Sequence, residues 1–230
     1  MGRNISETHL KAYKEGCFKQ LFSTIKEDPE LSFEVRLDNE VMVYYHKDKI
    51  LTTSFKSDKN PAVKILDSKY YAPTTGRKAP SVDMQDKKNW HVVSLWRKYF
   101  SEAKSLVYFY KKGAEFSVQQ NIALGNQSYD NHFLAVDMEW AFAQSDIDIK
   151  DRIPRTRIDL VLVDTIPNEQ GMNDIYLAEL KVGTVATEGT SGTIDHVEKT
   201  FKLINTEKAC QDFKEDVTNI INVKSELGIY

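Results

Sequence analysis

Apolar and polar positions recur with two different periods along this chain, and the changes of period mark its elements. Over residues 5–27, Leu10, Tyr13, Cys17, Leu21 and Ile25 return at spacings of three and four. That stripe predicts one amphipathic helix, stopped by Pro29, with Cys17 as a small core side chain. From Leu31 to Tyr71 the period becomes two, and residues 33–37, 41–45, 50–55 and 62–66 read as a meander of short antiparallel strands. Residues 72–89, with Pro73, Gly76 and Pro80, read as a polar connection. Helical periodicity returns from Trp90 through Phe100, and a second helix is expected from Ser101 to about Leu124, interrupted at Gly113. Residues 132–140 form a strand pattern with Asp137 and Glu139 on one face and Val136, Met138 and Trp140 on the other. Residues 156–164 and 174–182 then read as a hairpin with a longer loop. A Gly- and Thr-rich segment opens a last helical stretch, capped by Ser191 or Thr193, that runs on through Phe213 toward Val223.

Three charges stand in that hairpin where apolar residues are expected: Asp159, Glu179 and Lys181. A turn centred near Glu169 gives facing residues a constant index sum of about 338, which sets Asp159 opposite Glu179. Like charges directly opposite are unfavourable, and more so among apolar neighbours. Such a pair persists with a cation between the two acids, or with one carboxyl protonated. Lys181 lies two residues past Glu179 and projects from the same face. An antiparallel register that brings Glu139 level with Asp159 is open, and it would line three acids across three strands. In the helix before them, Glu115 and Gln119 are four apart and share a face.

Composition narrows the class. At 230 residues with no long apolar run, the chain suits one large α/β domain or a core plus appendage, with no membrane span expected. The N-terminus has no hydrophobic signal core, and two distant cysteines make neither a disulfide framework nor a zinc site, so a cytoplasmic setting is expected. Net charge is only −3, but residues 1–113 carry 21 Lys and Arg against 14 acids, and residues 114–230 carry 10 against 20. The basic half suits phosphates, while the acidic half suits a metal-carboxylate centre; two solvated surfaces would look the same. Lys47, Lys49, Lys56, Lys59 and Lys64 decorate the meander. Tyr44, Tyr45, Tyr70 and Tyr71 there are either stacking platforms for bases or ordinary faces of a half-buried sheet.

Asp159 followed by Glu179-Leu180-Lys181 resembles the PD-(D/E)xK nuclease superfamily, and so does the order helix, strand, strand with Asp, strand with Glu-x-Lys, helix. The likeness extends to uncharacterised bacterial members through Glu115 with Gln119 and Gln120, Asp137-Met-Glu139-Trp140, Glu179 to Gly183, and Ser191 to His196. Two departures stand out: no Pro precedes Asp159, and the chain stops at Tyr230, where the family has a fourth core strand. The resemblance implies an α/β (α+β) fold, a restriction-endonuclease-like core of a mixed sheet flanked by helices. Residues 90–230 would form that core, and residues 1–89 the N-terminal helix and β-meander.

The resemblance further implies Mg²⁺- or Mn²⁺-dependent hydrolysis of phosphodiester bonds in nucleic acid, DNA first and RNA as the other choice. Asp159 and Glu179 would hold the ion, with the Leu180 carbonyl as a third oxygen. Glu115 would complete the shell, with Glu139 as its rival. Lys181 would orient water or stabilise charge in the transition state. Gln119, Gln120 and His196 are candidates for positioning water or phosphate. The alternative is an inactive nuclease-fold module that binds nucleic acid or a protein partner. A sheet edge left open by the missing strand would suit a second copy of the chain in a homodimer.

Overall fold

The computed structural model describes residues 2–56, 60–110, 114–141, 157–181 and 193–230, without the side chains of residues 114–116, 193 and 195. The Gly113 interruption, the Ser191 and Thr193 caps, Gly183, Asp195 and the side chain of Glu115 therefore lie outside the described residues.

The N-terminal stripe folds as two helices, not one: α1 (Glu7–Lys14) and α2 (Lys19–Glu27). Ser6 caps α1 by accepting from the His9 N–H. The break falls at Gly16, where a Cβ would sit 2.8 Å from the Cα of Ala12. The chain folds back on α1 at that point, a close approach that only glycine allows, and Phe18 N–H donates to the Ala12 carbonyl before α2 starts. Both helices still present the expected apolar face, with Leu10, Tyr13, Leu21 and Ile25 buried.

The meander is present as β1 (Ser32–Val35), β2 (Glu40–Tyr45), β3 (Asp48–Phe55) and β4 (Pro61–Ile65), paired antiparallel in chain order. Between β2 and β3 the two turn residues, His46 and Lys47, both have positive φ (47° and 66°), as a type I′ hairpin requires. Tyr44, Tyr45 and Tyr70 are buried, so they pack the interior and are not open platforms for bases. The 72–89 segment is more than a linker. It carries a short 3₁₀ turn at Pro73–Thr75 and buries Val82 and Met84, and a second 3₁₀ turn, Lys87–His91, runs past its end and buries Trp90.

Helix α3 (Val93–Tyr110) passes through Ser101 without a break, and α4 (Ala114–Gly125) follows. The second sheet comprises β5 (Phe133–Ala141), β6 (Arg157–Asp164) and β7 (Ile175–Ala178), in that order. Leu160 faces Ala178 and Val161 faces Leu177, the register expected from the hairpin. All strand pairs among the described residues are antiparallel, where a mixed sheet was expected, and no fourth strand joins β5–β7 among them. Helices α5 (Thr193–Asn205) and α6 (Glu207–Glu226) close the fold, separated at Thr206. No helix among the described residues is long and apolar enough to cross a membrane.

One apolar cluster runs through both halves of the chain, from Tyr13, Phe18 and Phe33 to Trp96, Val136, Ile158 and Ile220. A smaller one, with Tyr44, Ala123, Ala135, Met138 and Leu160, lies where α4 meets the sheets. Met138 thus packs apart from Val136 and Trp140, contrary to simple alternation. A β-bulge separates Met138 from Val136: Ala135 faces Leu162 but Asp137 faces Val161, leaving Val136 as the extra residue, and the positive φ of Glu139 falls between Met138 and Trp140.

Buried charges tie the two ends of the chain to β5. Asp137 accepts from Arg3 at 3.0 Å and from Arg36 at 2.6 Å, while Arg3 N–H reaches Asp216 of α6. Lys224 donates to Glu34 (3.0 Å) and to the Val136 carbonyl (2.8 Å). Desolvated charges persist only when paired in this way, and removing one partner of such a pair costs about 3–5 kcal/mol.

The N-terminal helix carries a pH signal. His9 is buried, its ring stacked on Tyr13 and within hydrogen-bond reach of Asn39 and Thr53. Burial lowers its pKa from 6.5 to about 4, with Asn39 pulling weakly the other way. The unfolded chain binds the proton first, so this contribution is complete above pH 6.5 and is lost as pH falls toward 4. It amounts to about 3 kcal/mol at full expression. Urea midpoints between pH 7 and pH 4 should fall steeply for the native chain and more gently for His9→Gln.

Candidate active site

The site is built where β5, β6, α4 and the β2–β3 turn meet. Glu139 lies between the paired positions Met138–Leu160 and Trp140–Ile158, level with Asp159 on the neighbouring strand. Its φ is +62°, inside a strand and on a residue with a Cβ. Such a conformation costs about 1–3 kcal/mol and persists only where the surroundings impose it. It comes three residues after the Val136 bulge. Together the two irregularities aim Glu139 and Asp137 into different networks: Asp137 goes to Arg3 and Arg36, and Glu139 to Lys47, Gln119 and Arg157.

Glu139 and Asp159 are 8 % and 5 % exposed. Both converge on one ammonium group. Lys47 Nζ, carried on the hairpin tip, lies 2.7 Å from Glu139 Oε1 and 2.9 Å from Asp159 Oδ1. Burial acts to lower the Lys47 pKa, but the Glu139 carboxylate, with hydrogen bonds to both acids, raises it above the ordinary value. The remaining oxygens are also occupied: Asp159 Oδ2 accepts the Leu180 N–H at 3.0 Å, and Glu139 Oε2 takes Arg157 Nη1 at 3.0 Å.

Helix α4 supplies two adjacent amides with different tasks. Gln119, fully buried, donates Nε2 to Glu139 Oε1 (3.1 Å) and to the Asp159 carbonyl (2.6 Å). Both partners are acceptors, which fixes the amide's orientation, and Gln119 Oε1 is left buried with no partner. A buried carbonyl oxygen without a donor is costly and calls for a cation or a water. Gln120 instead holds the hairpin in place: its Oε1 accepts the His46 N–H, and its Nε2 donates to the Glu30 carbonyl.

Glu179 and Lys181 make a second group. Lys181 Nζ is 2.6 Å from Glu179 Oε1, and His196 Nδ1 of α5 lies 3.0 Å from the same oxygen. Glu179 and His196 also line an apolar groove of about 190 Å³ with Ile158, Leu177 and Phe201. The structure thus brings Glu139, rather than Glu179, onto a shared cation with Asp159. Leu180 meets Asp159 through its N–H. No group of three His, Cys, Asp or Glu side chains placed to hold a metal ion occurs among the described residues. The three acids are therefore level in register without forming one ligand shell, and Glu115 lies outside the described side chains. Sequence reasoning placed Lys47 only among the lysines of the meander and did not single out Arg157. The sequence showed a four-residue link over 46–49, which the structure shortens to the two-residue tip His46-Lys47, and nothing in the sequence shows which acids that tip overhangs.

A divalent ion fits this donor set in kind. Two carboxylates already share a cation, and carboxylate oxygen is the ligand type that Mg²⁺ and Mn²⁺ favour, while the amide of Gln119 that reaches both acids through Nε2 keeps a buried, unpartnered Oε1. Compared with protein-family models, curated proteins and solved structures, the chain matches none.

Gln119→Leu tests how far α4 holds the acids. It removes two buried donors from Glu139 and Asp159, and should lower unfolding free energy by about 1–3 kcal/mol in urea denaturation.

Proposed function

We propose that this protein is a metal-dependent phosphodiesterase that cleaves nucleic acid, built on a restriction-endonuclease-like core formed by α4, β5–β7 and α5. The observation that carries this reading is the convergence of buried Glu139 and Asp159 on a single cation, next to a buried amide oxygen that lacks a donor. Hard oxygen donors crowded in a buried notch are costly unless a cation is part of the working site.

Asp159 and Glu139 would hold the Mg²⁺ or Mn²⁺ ion, with Gln119 Oε1 as a further oxygen. Once bound, the ion supplies positive charge to polarise a phosphoryl oxygen and to lower the pKa of a water. Gln119 Nε2 keeps Glu139 in its strained orientation. The Leu180 N–H holds Asp159 from the side of the third strand. Lys181, paired with Glu179 and only partly exposed, offers an ammonium to charge developing on the phosphate. His196 stands beside the same acid, its Nδ1 3.0 Å from Glu179 Oε1 without a hydrogen bond to it. Among nucleic acids, DNA is taken as the first substrate and RNA as the second. The register supports the family resemblance here, because it sets Asp159 between Glu139 and Glu179 on successive strands.

One observation favours the competing reading, a module that binds without turnover: Lys47 already neutralises the acid pair. Cleavage assays separate the two. With labelled single- and double-stranded DNA and RNA in Mg²⁺ or Mn²⁺, the native chain should cleave at least one substrate, and EDTA should stop it. Asp159→Asn should reduce the rate by about 100-fold or more while the circular dichroism spectrum is retained, the scale of losing one electrostatic element of a site. No cleavage of any substrate, or undiminished cleavage by Asp159→Asn, would refute the assignment.

A further inference from the structure

We infer that Lys47 is a built-in surrogate for the divalent ion, so that metal binding at Glu139 and Asp159 is an exchange in which the ammonium leaves as the ion enters. The inference rests on the reading of a divalent site given above. Four features point to it. Lys47 Nζ stands within 2.9 Å of one oxygen from each acid, so a cation bound by both must take its place. The lysine side chain is 15 % exposed against 6 % and 7 % for the two carboxylates, so it is the most solvent-accessible of the three. The backbone of the tip is pinned: His46 N–H is bonded to Gln120, and Tyr45 faces Asp48 in the ladder. Exchange therefore needs rotation of one long side chain and no opening of the hairpin. Finally, with the ammonium seated, Gln119 Oε1 stays buried without a partner, on the same amide whose Nε2 reaches Glu139 and the Asp159 carbonyl.

The lysine solves a folding problem that the metal would otherwise have to solve. Two opposed buried carboxylates destabilise a metal-free chain, and a tethered cation holds them until an ion arrives. The cost appears as weakened metal affinity, because the ion must displace a paired charge. The displaced ammonium remains at the mouth of the site, where an anionic substrate approaches.

The test uses the full chain stripped with EDTA, titrated with Mn²⁺ by calorimetry, with melting temperatures recorded with and without Mn²⁺. Lys47→Met should melt well below the native chain when metal-free and recover most of that loss in Mn²⁺. It should bind Mn²⁺ at least about ten-fold more tightly, within the usual range of coupling between sites. Lys47→Arg keeps a cation in place and secures the experiment if Lys47→Met does not fold; its Mn²⁺ affinity should be no higher than native. Equal or weaker binding by Lys47→Met, or tighter binding by Lys47→Arg, overturns the exchange and leaves the metal site standing. Absence of Mn²⁺ binding in the native chain and both variants overturns the exchange and the metal reading together.

Discussion

Two carboxylates held level on neighbouring strands, both nearly out of water, impose the condition that shapes this protein. At such proximity their repulsion in a low-dielectric setting is large, and it must be met by a cation or by a proton. The chain meets it with a lysine from a different sheet. Glu139 takes a left-handed backbone conformation to reach that lysine, and the Val136 bulge shifts the face of the strand just before it. Gln119 fixes one acid, Leu180 the other, and Gln120 holds the turn that delivers the ammonium. Strain, a bulge and an unpartnered amide oxygen gathered within a few residues are features that folding alone does not favour, and they cluster where a site needs them.

The same condition explains why the two halves of the chain share one interior. The hairpin tip must be held to within hydrogen-bond distance of acids more than ninety residues away in sequence. Asp137, two residues before Glu139, is clamped by Arg3 and Arg36, and Lys224 binds both Glu34 and the carbonyl of the bulged Val136. These buried pairs lock the middle of β5 against β1 and α6. They contribute less to net stability than apolar packing of equal volume would, but they define one arrangement of the strand that carries the site.

Much of this was legible in the chain. The alternation over 41–55 and the short polar stretch between gave the β2–β3 hairpin. The run of β-formers on either side of Pro167 and Gly171 gave β6 and β7 with their register, because turn position and a period of two leave little freedom. The level placement of Asp159 and Glu179 follows from that arithmetic, whereas the long connection before β6 left the register of Glu139 open until the fold set it level with Asp159. What escaped depends on tertiary packing or on single backbone angles. The break between α1 and α2 arises from the close approach at Gly16 to Ala12, which an apolar stripe does not record. Of the two readings open for the tyrosines, packing decides for the interior: Tyr44 and Tyr45 on β2 and Tyr70 in the 3₁₀ turn after β4 are all buried. The positive φ of Glu139 redirects its side chain, so the shared cation falls to Glu139 and not to Glu179. Lys47 was one lysine among several, and only the folded hairpin distinguishes it.

The most direct measurement is anomalous diffraction at the manganese edge from crystals of the native chain grown or soaked in Mn²⁺. The account requires a peak within ligand distance of both Glu139 and Asp159, near Gln119 Oε1, with Lys47 Nζ withdrawn from the pair. Lys47 still seated between the two acids, with no peak beside them at saturating Mn²⁺, would contradict it.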